Sequence, residues 1–416
     1  MLSQPSSAPF PHPRIALLSP KDKTCGIAKY TRILYDELRL LGLNAEIIPF
    51  PSDEMLHAKS DARTMEIIAS LGPVLAAFDI IHFQHEFSFF HRFGKSLHDS
   101  QLTYLEWVRF YKKTHRIFTT FHTSPNLQSA PIKRTLRPHK LAYRLYKKFL
   151  VNRRLNQISS EAIQDTHLIV HSETSRRATL ATSYCSKAII HLMEIPIQVV
   201  HRCSPEKERA LQKNVLTRLH IQDDSIILGI SGFVNEYKGH RDALLAMKIL
   251  PDHYKLLVIG GKHPRDEGFF AEEFNQLIVQ LGLKSRVFIT GVFEDDEYLS
   301  YAGLVKIMLA PYKPGFNSSS GAITLSMQAK RPIIASKIKA FCDLKSSADI
   351  FEFTPPNDPR QLAKKIVALN KNPGRSEALA ASITTYLNNN LPRKFAQTHA
   401  ALYAQSLSTS RQLASV

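Results

Sequence analysis

Residues Pro311–Ser336 read PYKPGFNSSSGAITLSMQAKRPIIAS. The apolar run Val305–Ala310 leads into this stretch, and Ile333–Ala335 leads out of it. Between them lie a small, hydroxyl-rich loop and a segment with apolar or small residues at Ala322, Leu325, Ser326 and Ala329, the spacing of one helix face. The order is strand, loop, helix, strand. Hydroxyls in Ser318-Ser319-Ser320-Gly321 can cap the helix, and Gly321 lets a ligand approach the backbone. Unpaired N–H groups at a helix start, with the positive dipole end behind them, bind phosphate. The stretch therefore reads as a phosphate cradle or as an ordinary Ser/Gly cap.

The segments before it repeat the same grammar. Ile226–Ser231 reads as a strand, Gly232–Gly239 as a loop and Arg241–Leu250 as a helix. Lys255–Gly261 and Arg286–Gly291 are further strands, with a helix at Phe269–Leu281 between them. The first half does likewise. Arg14–Leu18 is a strand, Ser19–Ile27 a loop containing Cys25-Gly26, Ala28–Leu41 a helix stopped by Gly42, and Ala45–Pro49 a second strand. A β-loop-α-β unit predicts a parallel sheet whose first loop lies at a strand's carboxyl end, where open α/β sheets bind ligands. Asp79–Gln84, Arg116–Phe121 and Leu168–His171 are three more strands, followed by His85-Glu86, His122-Thr123 and Ser172-Glu173. His82, His85, His122 and His171 thus recur near strand ends, as a shared site or as structural residues. Ile189–Val200 reads as the last strand and exit of this half.

The expectation is an α/β chain of two Rossmann-like domains with parallel sheets facing across a cleft. Residues 1–13 form a disordered tail, 14–203 the first domain, and 204–390 the second. Residues 391–416 form a C-terminal helix and tail packing back on the first domain. A length of 416 residues suits about two domains. The apolar share of 44% and charged share of 22% are ordinary for a globular chain, so disorder is not the default. No apolar run reaches the ~18 residues of a membrane helix, and the proline-broken start MLSQPSSAPFPHPRIALLSP is not a secretion signal. Cys25, Cys185, Cys203 and Cys342 contain no CxxC pair, which fits a reducing compartment and argues against a zinc site. The acidic cluster Glu294–Glu297 precedes a helix-like segment, where acids favour the dipole, so no metal is expected.

A net charge of +18 implies an anionic partner. Residues 131–154 contain Lys133, Arg134, Arg137, Lys140, Arg144, Lys147 and Lys148, with no acidic residue and with apolar side chains interleaved. Such a segment lies on an anionic membrane surface, or is a solvated helix face with its apolar side in the core. Nucleic acid ranks below both, because the aromatics sit at core-like helical spacing and no recognised module is present.

Taken in order, several motifs resemble the GT-B glycosyltransferases of the GT4 group. They are Cys25-Gly26-Ile27-Ala28-Lys29-Tyr30-Thr31, Phe83-Gln84-His85-Glu86-Phe87, Phe121-His122-Thr123 and His171-Ser172. Gly232–His240 and the Ser-Gly-Ala segment ahead of Lys330–Ala335 complete them. The resemblance spans roughly residues 14–407. It implies transfer of a sugar from a nucleotide donor to a saccharide or lipid-linked acceptor, with retained anomeric configuration and without metal or other cofactor. The donor would bind mainly to the second domain. Lys238 matches the lysine on the donor pyrophosphate. Asn317, Ser318, Ser319, Ser320 and Gly321 would bind the same group, with Gly26 and Ile27 facing it from the first domain. His122 matches the active-site histidine near the transferred sugar, and Glu86 is the second catalytic candidate. A cytoplasmic protein, peripheral on the inner membrane face, is the implied setting.

The chain also departs from that pattern. The family usually has an arginine soon after the glycine, but Gly232-Phe233-Val234-Asn235 holds none, and the family's two glutamates, eight residues apart, fall near Asn317 and Leu325. Some members with a GIA-x-YT loop carry Ser-Ser-Gly-Ala in place of the first glutamate. Leu325 cannot hydrogen-bond a ribose. The alternatives are a catalytically degenerate nucleotide-binding or partner protein on the same fold, and a nucleotide-sugar epimerase.

Overall fold

The computed structural model describes residues 13–20, 26–92, 97–123, 161–182, 185, 187–197, 200–262, 269–315 and 320–414, with backbone alone at 97–98, 269–271, 345–347 and 409–414. The chain divides into two compact units, Met1–Pro196 with Pro392–Val416, and Ile197–Leu391. The division thus falls ahead of the expected 203/204. Ile197 packs in the second core, and Cys203 N donates to Asp296 O at 3.0 Å.

The first unit holds six parallel strands: β1 (Arg14–Ser19), β2 (Asn44–Pro49), β3 (Ile80–His85), β4 (Arg116–Phe121), β5 (His167–Val170) and β6 (Ile189–Leu192). Their spatial order is β2-β1-β3-β4-β5-β6. The order reverses at β1 and β3, so the crevice of this sheet lies above those two strands. β6 is shorter than the run 189–200 suggested, because its neighbour β5 ends at Val170, the register partner of Leu192.

Side chains alternate across a strand, so each face has its own cover. Ile15, Leu17, Ile80, Phe118 and Ile169 pack with Tyr30, Leu34 and Leu38 of the helix Gly26–Leu40, and with Phe395, Ala396 and Tyr403 of the helix Pro392–Ala414. Ala16, Leu18, Ile81, Phe83, Ile117 and Phe121 pack instead against Ile67, Ile68, Tyr104 and Trp107 of the helices Asp61–Ser70 and Leu97–Tyr111. Both faces are covered, which is why these strands read as nearly unbroken apolar runs.

The second unit also holds six parallel strands: β7 (Ile226–Ser231), β8 (Tyr254–Ile259), β9 (Val287–Ile289), β10 (Ile307–Ala310), β11 (Ile333–Ser336) and β12 (Phe351–Thr354). Their order is β12-β11-β10-β7-β8-β9, the doubly wound Rossmann arrangement with its switch point at β7 and β10. The helix after β10 is Gly321–Met327. Its buried face is Ile323, Thr324, Ser326 and Met327; of the residues grouped by spacing, Ser326 is buried and Ala322, Leu325 and Ala329 are half-buried. The acidic cluster Glu294–Glu297 forms a capping box, and Lys207 pairs with Asp296 and Glu297.

No helix among the described residues is long and apolar enough to cross a membrane. The basic residues Lys133, Arg134, Arg137, Lys140, Arg144, Lys147 and Lys148 lie outside the described residues, as do Cys25, Asn317, Ser318, Ser319 and the tail before Pro13.

Candidate functional site

In the second unit the switch point carries Lys238. Asn235 opens a tight turn, Glu236–Lys238, by accepting a hydrogen bond from Tyr237 N at 3.0 Å. The Lys238 side chain then folds inward and is 6% exposed. Its Nζ donates to Phe233 O at 3.2 Å. It lies over Gly232, where a Cβ would stand 2.5 Å from Nζ and 3.1 Å from Ala322 Cβ. Gly232 thus lies close both to the ammonium and to the first turn of the helix Gly321–Met327. Burial pulls its pKa down to about 8, because a desolvated ammonium loses hydration that one carbonyl does not replace. A site that holds a poorly solvated cation beside backbone N–H groups favours an anion.

Gly239 locks this turn against the exit of β10. Its φ is +73°, and a Cβ there would overlap the Pro311 carbonyl oxygen. Lys313 N donates to Tyr237 O at 2.7 Å, Lys313 Nζ pairs with Glu236 at 2.9 Å, and Tyr237 meets Tyr312 edge-on at 5.6 Å. Ser320 is the N-cap residue of the following helix, but its side chain does not cap. Its Oγ pairs with the buried Tyr312 hydroxyl at 2.9 Å instead. The expected hydroxyl cap is thus corrected at Ser320. The first helical bonds run from Ile323 N and Thr324 N to Ser320 O, so Gly321 N and Ala322 N lie ahead of them. Leu325 packs against the second core.

In the first unit strand parity separates the four histidines. His82, His122 and His171 share the face covered by Tyr30. His82 Nδ1 pairs with Tyr403 OH at 2.6 Å, and its Nε2 with Thr120 Oγ1 at 2.8 Å. His122 Nε2 is 2.8 Å from Gln84 Oε1. Tyr30 meets His122 edge-on at 4.8 Å and His171 at 5.3 Å. His171 Nδ1 pairs with Met193 O at 2.9 Å. His122 is half-buried by exposure yet densely packed around its ring, and burial with the neighbouring imidazoles holds it neutral, well below the ordinary histidine range.

His85 does not join them. It points to the opposite face, among Phe87, Phe90, Tyr104 and Phe121. Burial drives its pKa to about 3. Gln101 is close to the ring, without a hydrogen bond of good geometry to either nitrogen.

Glu86 follows β3 and accepts from Phe87 N at 3.0 Å and from the Thr123 hydroxyl. Burial raises its pKa above the carboxylate norm, against the opposing pull of those two bonds. It is placed beside the residue that follows His122. Gly26 and Ile27 occupy the first turn of the helix Gly26–Leu40 rather than the loop before it. Sequence reading missed Tyr30, Gln84 and Tyr312 as parts of these sites. Alternation along β3 and β4 was the available signal for Gln84.

No group of three or more metal-ligating side chains occurs among the described residues. What the arrangement offers chemically is a buried ammonium over a glycine, and a neutral imidazole held at a strand end.

Residues 224–372, which hold the whole Lys238 site, match the family model described as group 1 glycosyl transferases. No curated protein matches the chain. Among solved structures it is similar to sucrose-phosphate synthase from Thermosynechococcus elongatus, with a TM-score of 0.70 and 16% identity over 95% of this chain and 100% of that one. It is also similar to Anabaena Alr3699/HepE in complex with UDP, with a TM-score of 0.68 and 12% identity over 94% and 100%. A glycosyltransferase from Rickettsia africae gives 0.68 and 15% over 96% and 99%. The chain has the GT-B fold. Within the GT-B fold the match places Lys238, Gly239 and Gly321 in the unit that carries the group 1 pattern. His122 and Glu86 lie in the other unit, outside the matched residues.

Proposed function

We propose that the protein is a glycosyltransferase of the GT4 type, moving a sugar from a nucleoside-diphosphate sugar to a saccharide or lipid-linked acceptor. The carrying observation is the buried Lys238 ammonium over Gly232, at the switch point of a sheet whose residues match group 1 glycosyl transferases. The leaving nucleoside diphosphate develops negative charge as the glycosidic bond breaks. Lys238, with the N–H groups that begin the following helix, would stabilise that charge in a low-dielectric setting. In this reading the ammonium takes the place of a metal cation, and transfer proceeds with retention. His122, neutral and fixed, contacts a sugar hydroxyl, and Glu86 is the nearby acid. The similarity to HepE, which was solved with UDP, supports a uridine nucleotide as the first donor base to try.

The test incubates the purified chain with a panel of nucleotide sugars, with and without lipid acceptors, and measures release of nucleoside diphosphate. Turnover with one donor is expected. Lys238→Ala should weaken nucleotide binding by about 100-fold, the order expected for losing a charge-assisted contact in a buried site. Full affinity in that variant would sink the phosphate role. Leu325 favours a second reading. It packs against the core where the family's ribose-binding carboxylate falls, which suits a nucleotide-binding partner protein without transfer. Tight nucleotide binding with no turnover on any donor and acceptor would select it.

Peripheral attachment to an anionic membrane, through the basic residues between 131 and 154, belongs to the same proposal. Retention on anionic vesicles at low salt, lost at high salt, is its measurement.

A further inference from the structure

Gln84 and Thr120 are register partners across β3 and β4. Parity therefore puts the Gln84 side chain on the face that carries Thr120 and, two residues on, His122. Gln84 is 2% exposed, and its Oε1 stands 2.8 Å from His122 Nε2. His122 is held from two other sides. Its backbone N donates to His85 O at 3.2 Å, and Tyr30 stands edge-on to the ring at 89° between planes.

An amide oxygen can only accept a hydrogen bond. With Oε1 as the atom that faces it, the ring nitrogen carries the proton, and Gln84 Nε2 is left buried without a partner. A neutral imidazole has one N–H, so the lone pair falls on Nδ1. Nδ1 then accepts, rather than donates, whatever hydrogen bond it makes. Turning the Gln84 amide over would reverse this chemistry, putting a donor against Nε2 and the proton on Nδ1.

We propose that Gln84 is a positioning residue that holds His122 as the Nε2–H tautomer with an accepting Nδ1. For the catalytic consequence this rests on the reading of His122 as the sugar-contacting histidine; the tautomer itself does not depend on that reading. An accepting Nδ1 is suited to take a hydrogen bond from a sugar hydroxyl, and a donating Nδ1 is not. A strand-end amide buried beside the ring sets this without adding charge, whereas a carboxylate would favour the imidazolium.

The experiment records nitrogen-15 spectra of the full chain labelled at histidine, with no donor or acceptor present. The His122 signals are assigned by their loss in His122→Asn. Wild type is expected to show a protonated Nε2 and an unprotonated Nδ1. Gln84→Glu should keep the proton on Nε2, because a carboxylate also accepts, and should add one to Nδ1 as pH falls, because it favours the imidazolium. Gln84→Met, similar in volume, should average or reverse the two nitrogens while leaving the His82 ring signals in place as the check on folding. A wild-type proton on Nδ1, or a Gln84→Met spectrum identical to wild type, overturns the proposal.

Kinetics provide the second readout. Gln84→Met should lower kcat about tenfold or more with KM little changed, the order seen when a partner that orients a functional histidine is lost, and Gln84→Glu should recover part of it only above the pH at which its imidazolium loses the Nδ1 proton. An altered tautomer with unchanged kcat overturns the positioning role. Expected spectra in a protein that transfers no sugar would leave the tautomer standing and remove the transferase reading.

Discussion

The two units are built from the same β-loop-α grammar, yet they spend their polar residues differently. The second unit leaves room. Gly232 and Gly239 let a lysine side chain and a neighbouring carbonyl come close to the backbone. In the first unit Tyr30, His82, His122, His171, Phe395, His399 and Tyr403 pack into one layer between the sheet and the helix Pro392–Ala414. A crevice lined by backbone and one cation suits a compact polyanion. Of that layer His122 is half-buried at a strand end, and a neutral imidazole there would suit a hydroxyl group, which needs a donor or acceptor at a fixed place. On the proposed function the two similar sheets take separate tasks, anion binding in the second unit and hydroxyl binding in the first.

Glycine substitution should break the comparison most sharply. Gly239→Ala forces a side chain into a left-handed backbone and onto Pro311 O. On the order of 4 kcal/mol of stability should be lost, since strain and a backbone overlap combine. The turn that aims Lys238 would shift, and nucleotide binding should vanish with it. Gly26→Ala, in the first unit's phosphate-loop candidate, meets nothing within 4 Å and has no positive φ. It should be neutral, or stabilising by up to about 1 kcal/mol through helix propensity. Denaturant unfolding of the two variants measures both. Equal losses would mean that the units use glycine alike.

Much of the fold was legible because buried parallel strands announce themselves as apolar runs between glycines and polar ends. The expected strands at 116–121 and 226–231 coincide with β4 and β7. The site was less legible, for a physical reason. Grouping four histidines by their position near strand ends ignored the period of two, which sends His85 to the far face. The hydroxyl of Ser320 looked like a cap because serine caps helices; Tyr312, eight residues earlier, competes for it through a tertiary contact that no local rule contains. The C-terminal helix was expected on the first domain, but that it brings Phe395, His399 and Tyr403 to the histidine layer is a tertiary match no local rule contains.

Acid should separate the units next. In the first unit burial drives His85 and His399 to about 3 and His167 and His171 to about 4, from an ordinary 6.5. Between those values and 6.5 the unfolded chain binds more protons than the folded one, so stability rises with pH there. The stabilisation is complete above about pH 6.5 and is lost as pH falls toward 4 and 3. In the second unit His240 is held down in the same way, to about 3. With more such groups, the first unit should open first on acidification. Trp107, the chain's one tryptophan, is buried in the first unit. Its fluorescence should therefore report opening above the pH at which helical signal from the second unit is lost. Simultaneous loss of both signals would show that the imidazole layer does not set the acid limit.

The smallest effect is the most specific to the second unit. In the proposed role Lys238 would bind an anion only as the ammonium, and burial lowers its pKa to about 8. Below that pH the nucleotide affinity should be flat with respect to this group. Above it each further pH unit should cost up to tenfold in affinity, until the pKa of the bound state is reached, because binding must then take up a proton. A diphosphate is fully ionised throughout this range, so the ligand adds no slope of its own. Lys238→Arg should bind more weakly at neutral pH, since a planar fork does not fit the pocket of a compact ammonium, but its affinity should stay level as pH rises. The same depressed pKa makes an opposite statement about folding. Between about 8 and the ordinary 10.5 the unfolded chain holds more protons at this lysine, so its contribution to stability rises with pH while affinity falls. Titration calorimetry and denaturant unfolding across pH 7 to 10 should therefore diverge in wild type, and the divergence should shrink in Lys238→Arg. Parallel curves in wild type would place the nucleotide phosphates away from Lys238, and with them the contrast between an anion-binding unit and a hydroxyl-binding one would fail.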